Sequence, residues 1–461
     1  LDIPYPGEAS RKRLVEQLEV VVRRREFLKK VAAGTAALAT GPGAVRAATG
    51  PMNVVLFVSD DWGWPFYGFM RDPRALPPCE LDGLPVPRTP TLDRLVAEGV
   101  GFYKGVVTAA RCQASRESIF TGLNRRDLTV RRFETLKYPG HPTIPVELAR
   151  QGYRTLGLGK WEVARGGLNA SFTDNEKYTT SFGRGPDDVS ALNRGELQIV
   201  DGFLEERTRD GAPWMLYVGP RLPHQPFQHP REAPYRYDDV TTDAARACKQ
   251  RFTISPVSFR RFLGSCTWVD ELLRRIVEDK LAHYGFDSNT LVLYTTDNGA
   301  VLRRGKGSFR EAGMRTPIVA WAKDRIPATG LHDGLVGTID LFPTLLDYAG
   351  IDPRAWPEFP DGRSFRPLLD PSPGASEDSR SVFFSNWRPD GKRAVRNTDY
   401  KLYTSLFGRE ESLFDLSNDP FERNNLLLRG RLTPELDSVR ADLARRLDDW
   451  WCRPPGSLGC A

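Results

Sequence analysis

The chain has 461 residues, 40% of them hydrophobic and 27% charged, enough to bury one large core with a smaller companion. Its formal charge of +6 comes from 65 basic and 59 acidic residues, but residues 1–47 alone hold 9 Lys/Arg against 5 Asp/Glu. The body is therefore close to neutral, and a nucleic-acid partner is set aside.

In chain order, Arg23-Arg24-Arg25-Glu26-Phe27-Leu28-Lys29-Lys30 precedes the weakly apolar run Val31 to Ala39 and small residues around Ala47. The run is far shorter than the roughly 20 residues a spanning helix needs, and the pattern resembles a twin-arginine export leader over 1–47. The implied partner is the twin-arginine export machinery, and the implied destination is the periplasm or beyond. Six cysteines (79, 112, 248, 266, 452, 460) are too scattered for a disulfide scaffold and form no zinc-type CxxC pair; Cys452 and Cys460 are candidates for a bridge.

From Asn53 to Ser59, NVVLFVS reads as a parallel strand buried on both faces, ending in Asp60-Asp61. Thr89-Pro90 opens a helix with Leu92, Leu95 and Val96 on one face and Gly99 as its stop. A second helix is expected from about residue 112, with Cys112 at its N-terminus and Arg116 one turn on, on the same face. Further strand runs are Arg154 to Leu158 before Lys160 and Glu162, Trp214 to Val218 before His224, Thr290 to Thr296 before Asp297-Asn298, and Pro317 to Trp321. A helix from about Trp268 carries Val269, Leu272, Leu273, Ile276, Val277 and Leu281 at helical spacing. Strands alternating with helices predict an α/β fold, a large mainly parallel central sheet flanked by helices. In such sheets ligands collect beyond the carboxyl ends of the strands, where these charged and amide groups lie.

Residues 369–378, rich in Pro, Ser, Gly and Asp, read as a linker. Short strands are expected at Ser381 to Ser385, Arg393 to Arg396 and Tyr400 to Thr404. A helix capped by Thr433-Pro434 follows, with Leu436, Val439, Leu443, Leu447 and Trp450 on one stripe. This divides the chain into the leader 1–47, a catalytic domain 51–375 and a smaller α+β C-terminal subdomain 376–461.

Asp60, Asp61, Asp297 and Asn298 are hard oxygen donors that suit Ca²⁺ or Mg²⁺ better than zinc. Read by itself, Cys112 is as readily a buried structural thiol as a functional one.

CQASR followed by SIFTG resembles the signature of the sulfatases, Cys-x-Pro/Ala-x-Arg with a downstream Thr-Gly. The resemblance continues in order through FVSDDWG, TPTLDRLVAEGVGF, GYRTLGLGKW, LPHQP, TTDNG, GKGSFREAGMRTPIV and FDLSNDPFERNNL, covering most of residues 53–450. It implies the alkaline-phosphatase-like fold. It also implies hydrolysis of an organic or carbohydrate sulfate ester, through a formylglycine that a formylglycine-generating enzyme makes from Cys112. By position, Asp60, Asp61, Asp297, Asn298 and the modified Cys112 match the family's calcium ligands, one ion per chain. Arg116 matches the arginine that steadies the formylglycine, Lys160 and Lys306 the sulfate-binding lysines, and His224 the histidine beside the leaving group.

One position departs from the pattern: two residues after the GKW lysine the family usually has histidine, and this chain has Glu162. A carboxylate can act as a base but repels an anion. Either the base is replaced, or a phosphate or phosphonate ester is handled instead, or the chain binds anions with its chemistry impaired. His229 is a possible substitute.

Overall fold

The computed structural model describes residues 51–71, 85–124, 142–163, 171–175, 194–227, 234–238, 240, 255–300, 305–351, 361–370, 382–385, 392–404, 411–429 and 432–451. The leader, the linker beyond Asp370, Cys79, Cys248, Cys452, Cys460 and His229 lie outside the described residues.

Seven strands form the main sheet: β1 (Asn53–Ser59), β2 (Val100–Phe102), β3 (Arg154–Gly159), β4 (Trp214–Gly219), β5 (Thr290–Thr296), β6 (Ile318–Trp321) and β7 (Gly330–His332). Their order is β3-β4-β1-β5-β6-β2-β7. All neighbouring pairs are parallel except the two made by β6. Every residue of β1, β4 and β5 is buried, which is why these strands read as unbroken apolar runs rather than alternating ones.

Alternate residues of β1 feed two cores. Val55 and Phe57 join the core that also holds Leu92 and Leu95 of α1 (Pro90–Glu98), Val200 and Phe203 of α4 (Arg194–Asp210), and Phe262 and Val269 of α5 (Pro256–Arg274). Val54, Leu56 and Val58 join the other core, with Ile119 and Phe120 of α2 (Cys112–Thr121), Leu148 of α3 (Ile144–Arg150) and Leu345 of α6 (Leu341–Tyr348). Helices therefore cover both faces, as the strand-helix alternation predicts.

Tertiary packing decides three local details. α5 starts at Pro256, twelve residues before Trp268: Ser255 caps it by accepting from the Ser258 amide at 3.1 Å, and polar positions such as Arg260 and Arg261 hide the apolar stripe of Phe259, Phe262, Leu263 and Cys266. Gly99 does follow the last turn of α1, yet its φ is negative; a Cβ there would lie 2.4 Å from the Ala320 carbonyl, so close approach to β6 is what requires glycine. Thr89 supplies no side-chain cap to α1. Asp270 of α5 does so instead, accepting from Thr91 N at 3.0 Å and Leu92 N at 2.8 Å. The short strands β2 and β7 carry no sequence signal of their own.

A second, antiparallel sheet follows in the order β11-β10-β9-β8, formed by β8 (Phe383–Ser385), β9 (Arg393–Arg396), β10 (Tyr400–Thr404) and β11 (Glu411–Asp415). Helix α7 (Pro434–Trp451) packs Leu443 and Leu447 against Val395, Leu402 and Leu413. This sheet is joined to the first by a buried ionic cluster. Glu311 accepts from Arg396 Nη1 at 2.8 Å and Lys401 Nζ at 2.9 Å, and its amide donates to Glu422 Oε2 at 2.6 Å. No helix among the described residues is long and apolar enough to cross a membrane.

Candidate active site

Register places the site. Ser59 of β1 pairs with Thr296 of β5, and Gly159 of β3 with Gly219 of β4, so four adjacent parallel strands end at one edge of the sheet. Asp60-Asp61, Asp297-Asn298, Lys160 and, five residues beyond β4, His224 all leave from that edge. The Asp61 amide donates to Asp297 Oδ1 at 3.1 Å, which ties the two acidic pairs together. Asp61 itself adopts a left-handed backbone (φ 63°), uncommon outside glycine and concentrated at functional positions.

Helix α2 delivers the remaining groups. It begins at Cys112, after the extended Arg111, and closes on Gly122, whose φ of 68° lets its amide bond the Ser118 carbonyl. Cys112 Sγ lies 3.5 Å from Asp60 Oδ1, 3.7 Å from Asp61 Oδ1 and 2.9 Å from Lys306 Nζ. Burial, reinforced by Asp297 and Asp60, pushes its thiol well above the ordinary range, so the neutral thiol is favoured and a thiolate nucleophile is not. Arg116, fully buried one turn on, directs its guanidinium to Asp297: Nε donates to Oδ2 at 2.9 Å, while Nη1 donates to the Lys160 carbonyl at 2.9 Å.

Both lysines pair with the first acidic pair. Lys160 Nζ donates to Asp60 Oδ2 at 2.7 Å, and Lys306 Nζ sits 2.7 Å from Asp61 Oδ1. Burial alone would raise the Asp60 carboxyl, but Lys160, Arg116, His224 and Lys306 outweigh it and hold the group well below the usual range. Asp297 goes the other way, raised to about 7 by burial and by Asp60. His224 places Nε2 3.6 Å from Asp61 Oδ2, and its Nδ1 donates to the Gln225 carbonyl at 2.5 Å, leaving Nε2 as the nitrogen that faces the cluster. Glu162 lies at the rim with a left-handed backbone (φ 54°), its side chain 46% exposed and Oε2 3.5 Å from Lys160 Nζ.

Apart from His229, outside the described residues, the site residues singled out in the sequence thus converge. Ligand atoms of Asp60, Asp61, Cys112 and His224 lie within 4.8 Å of one another. Asn298 adds a telling detail: its Nδ2 donates to Asp61 Oδ1 at 2.7 Å, whereas its buried Oδ1 has no hydrogen-bond partner. An unpartnered buried amide oxygen on a residue bonded to Asp61, with Asp60 close by, offers the hard oxygen donors that suit a divalent cation.

The sulfatase family profile matches residues 52–351, and the profile for the C-terminal part of N-sulphoglucosamine sulphohydrolase matches 305–451. The chain belongs to the sulfatase family. It is 28% identical over 462 residues to human (Homo sapiens) arylsulfatase A, covering 85% of each chain. It is 27% identical over 345 residues to mouse (Mus musculus) N-acetylgalactosamine-6-sulfatase, covering 66% of this chain and 63% of that one. In fold it resembles the phosphonate monoester hydrolase of Agrobacterium radiobacter, with a TM-score of 0.61 at 19% identity over 86% of this chain and 94% of the other. The sulfatase site here also uses residues that motif reading passes over. Chief among them is Tyr217, whose hydroxyl contacts Arg116 and whose signal was a buried phenol, in need of a partner, inside the apolar run WMLYVG.

Proposed function

We propose that this sulfatase hydrolyses an organic or carbohydrate sulfate ester to an alcohol and inorganic sulfate, using a formylglycine made from Cys112 and a bound Ca²⁺. The observation that carries the reading is the position of Cys112 at the start of α2, within 3.7 Å of Asp60, Asp61 and Lys306 together. A sulfur ligand matches a hard cation poorly, whereas an aldehyde hydrate offers oxygen. Relatives named for N-acetylgalactosamine 6-sulfate and aryl sulfates support the substrate class.

Asp60, Asp61, Asp297 and Asn298 would hold the metal, which, when bound, supplies charge stabilisation to the transferring sulfuryl group and acidifies oxygen beside it. The hydrated aldehyde at position 112 is the oxygen nucleophile that takes the sulfuryl group from the alcohol. Lys160 and Lys306 bind sulfate oxygens, and Arg116 donates to Asp297. His224, protonated at Nε2, gives its proton to the departing alcohol oxygen. Glu162 takes the proton whose loss lets sulfate leave, the task for which the family usually has histidine. One water is consumed overall as the hydrate re-forms. The leader over 1–47 supports export after folding in the cytoplasm, to the periplasm or beyond.

The test is mass analysis of the tryptic peptide Cys112 to Arg116 together with sulfate release from nitrophenyl sulfate. An aldehyde, and loss of turnover in Cys112→Ala, are expected; turnover intact in Cys112→Ala sinks the reading. Glu162 beside Lys160 motivates a second reading, in which a phosphonate or phosphate ester is the better substrate, and relative turnover of the three nitrophenyl esters separates the two. An unmodified thiol with no turnover of any of them would favour an impaired anion-binding relative.

A further inference from the structure

Arg116 and Lys160 reach the site from different elements, α2 and the segment after β3, yet one hydroxyl joins them. Arg116 Nη1 donates to Tyr217 Oη at 2.6 Å, and Tyr217 Oη donates in turn to the Lys160 backbone carbonyl, which Arg116 Nη1 also reaches at 2.9 Å. The three groups close a buried triangle. Lys160 is held from its other side as well, its amide donating to the Gly219 carbonyl at 2.7 Å.

The backbone around this triangle is shaped to admit it. A Cβ on Gly219 would fall 2.2 Å from Tyr217 Oη and 2.6 Å from the Lys160 carbonyl oxygen. A Cβ on Gly159, whose φ is +85°, would fall 2.2 Å from the Gly219 carbonyl oxygen. Gly219 therefore leaves room for the phenol, and Gly159 for the close approach of the Gly219 backbone. The ring meets Phe120, Trp161 and Phe172 at centroid distances of 5.0, 5.6 and 6.0 Å, so the hydroxyl has little freedom to swing away.

We infer that Tyr217 is a positioning residue for the sulfatase reaction: its hydroxyl sets the guanidinium of Arg116 and the backbone of Lys160 in one frame, with Gly219 as the space that permits it. The hydroxyl serves both polarities at once, as acceptor from a cation and as donor to a carbonyl. No aliphatic side chain does so, and phenylalanine keeps the packing while losing both bonds. Through Lys160, the same hydroxyl also fixes the turn that carries Glu162. The kinetic consequence rests on the hydrolase reading above, whereas the geometric one does not.

Tyr217→Phe is expected to lower kcat about 10- to 100-fold, the usual cost of losing a hydrogen bond to a charged group or of a small misplacement of catalytic groups. KM should move little, because the phenol is buried behind the site. Gly219→Ala should lower kcat as well, since its Cβ would meet both the Tyr217 hydroxyl and the Lys160 carbonyl oxygen. Full kcat in Tyr217→Phe would overturn the assignment. If the wild-type protein turns over no ester, the hydrolase reading fails by itself. The assignment is then decided by nitrogen-15 spectra of the Arg116 side chain: hydrogen exchange at its Nη groups should quicken at least about tenfold in Tyr217→Phe, and unchanged exchange would refute it.

Discussion

Two buried ionic clusters of similar composition sit about one loop apart in the chain, and their contrast explains the molecule. The stretch GKGSFREAGMRT supplies both: Lys306 to the site and Glu311 to the junction with the second sheet. At the junction, both Glu311 oxygens are matched to Arg396 and Lys401, and Glu422 accepts from Tyr403 and the Glu311 amide. Burial raises the Glu311 carboxyl, but Arg396, Lys401 and Arg315 overcome this and hold it near 2. At the site the three carboxylates are paired too, with Lys160, Lys306 and Arg116, but the buried Asn298 Oδ1 beside them has no hydrogen-bond partner, and Lys306, His224 and Glu162 open to solvent. Charge sealed from solvent at the junction is structural; charge that opens to solvent beside an unpartnered amide oxygen is chemical.

Perturbing each cluster should separate the two roles. The largest effect is expected from chelation: turnover falls to background, thermal stability drops with it, and added Ca²⁺ restores both, since a ligand held only by the folded state stabilises it. Retained turnover in chelator would break the contrast at its root. Next, Lys306→Ala should cost about 100- to 1000-fold in kcat, as loss of a transition-state charge partner does, with little change in melting temperature because its side chain is partly exposed.

Glu311→Gln should do the reverse, losing about 3 kcal/mol of stability in chemical denaturation while the folded fraction keeps its kcat. Its pH dependence has a definite sign. The folded Glu311 carboxyl is depressed, so its contribution is complete above the unfolded value near 4.5 and is lost as pH falls toward 2; the variant should lack that part of the acid decline. The smallest effect belongs to Asp270, the cap of α1, which burial raises to about 7 against backbone bonds from Leu92 and Thr91. A raised carboxyl stabilises fully below about pH 4 and loses that contribution as pH rises through 7. Asp270→Asn should therefore flatten stability across that window, for about 1 kcal/mol of lost capping. Unfolding midpoints measured from pH 4 to 8 decide it.

Much of this site was legible because the chemistry sits directly after buried strands. Asp60, Lys160 and Asp297 each follow an apolar run, and such runs announce themselves by composition. Tyr217 was legible only as a phenol in need of a partner within WMLYVG; the tertiary structure supplies that partner, Arg116, and with it the role. Glu311 was hidden for the same reason, as its partners lie more than 80 residues away.

The amino-acid sequence by itself determined the strands β1, β3, β4 and β5, the start of α2 at Cys112 and the set of groups that cluster at the site, because hydrophobic periodicity, helix signals and motif order are local properties. Tertiary structure decided the antiparallel turn of β6, the source of the α1 cap, and which hydroxyl joins Arg116 to Lys160. Those outcomes depend on register and on distances between segments remote in the chain, and no local pattern encodes a distance.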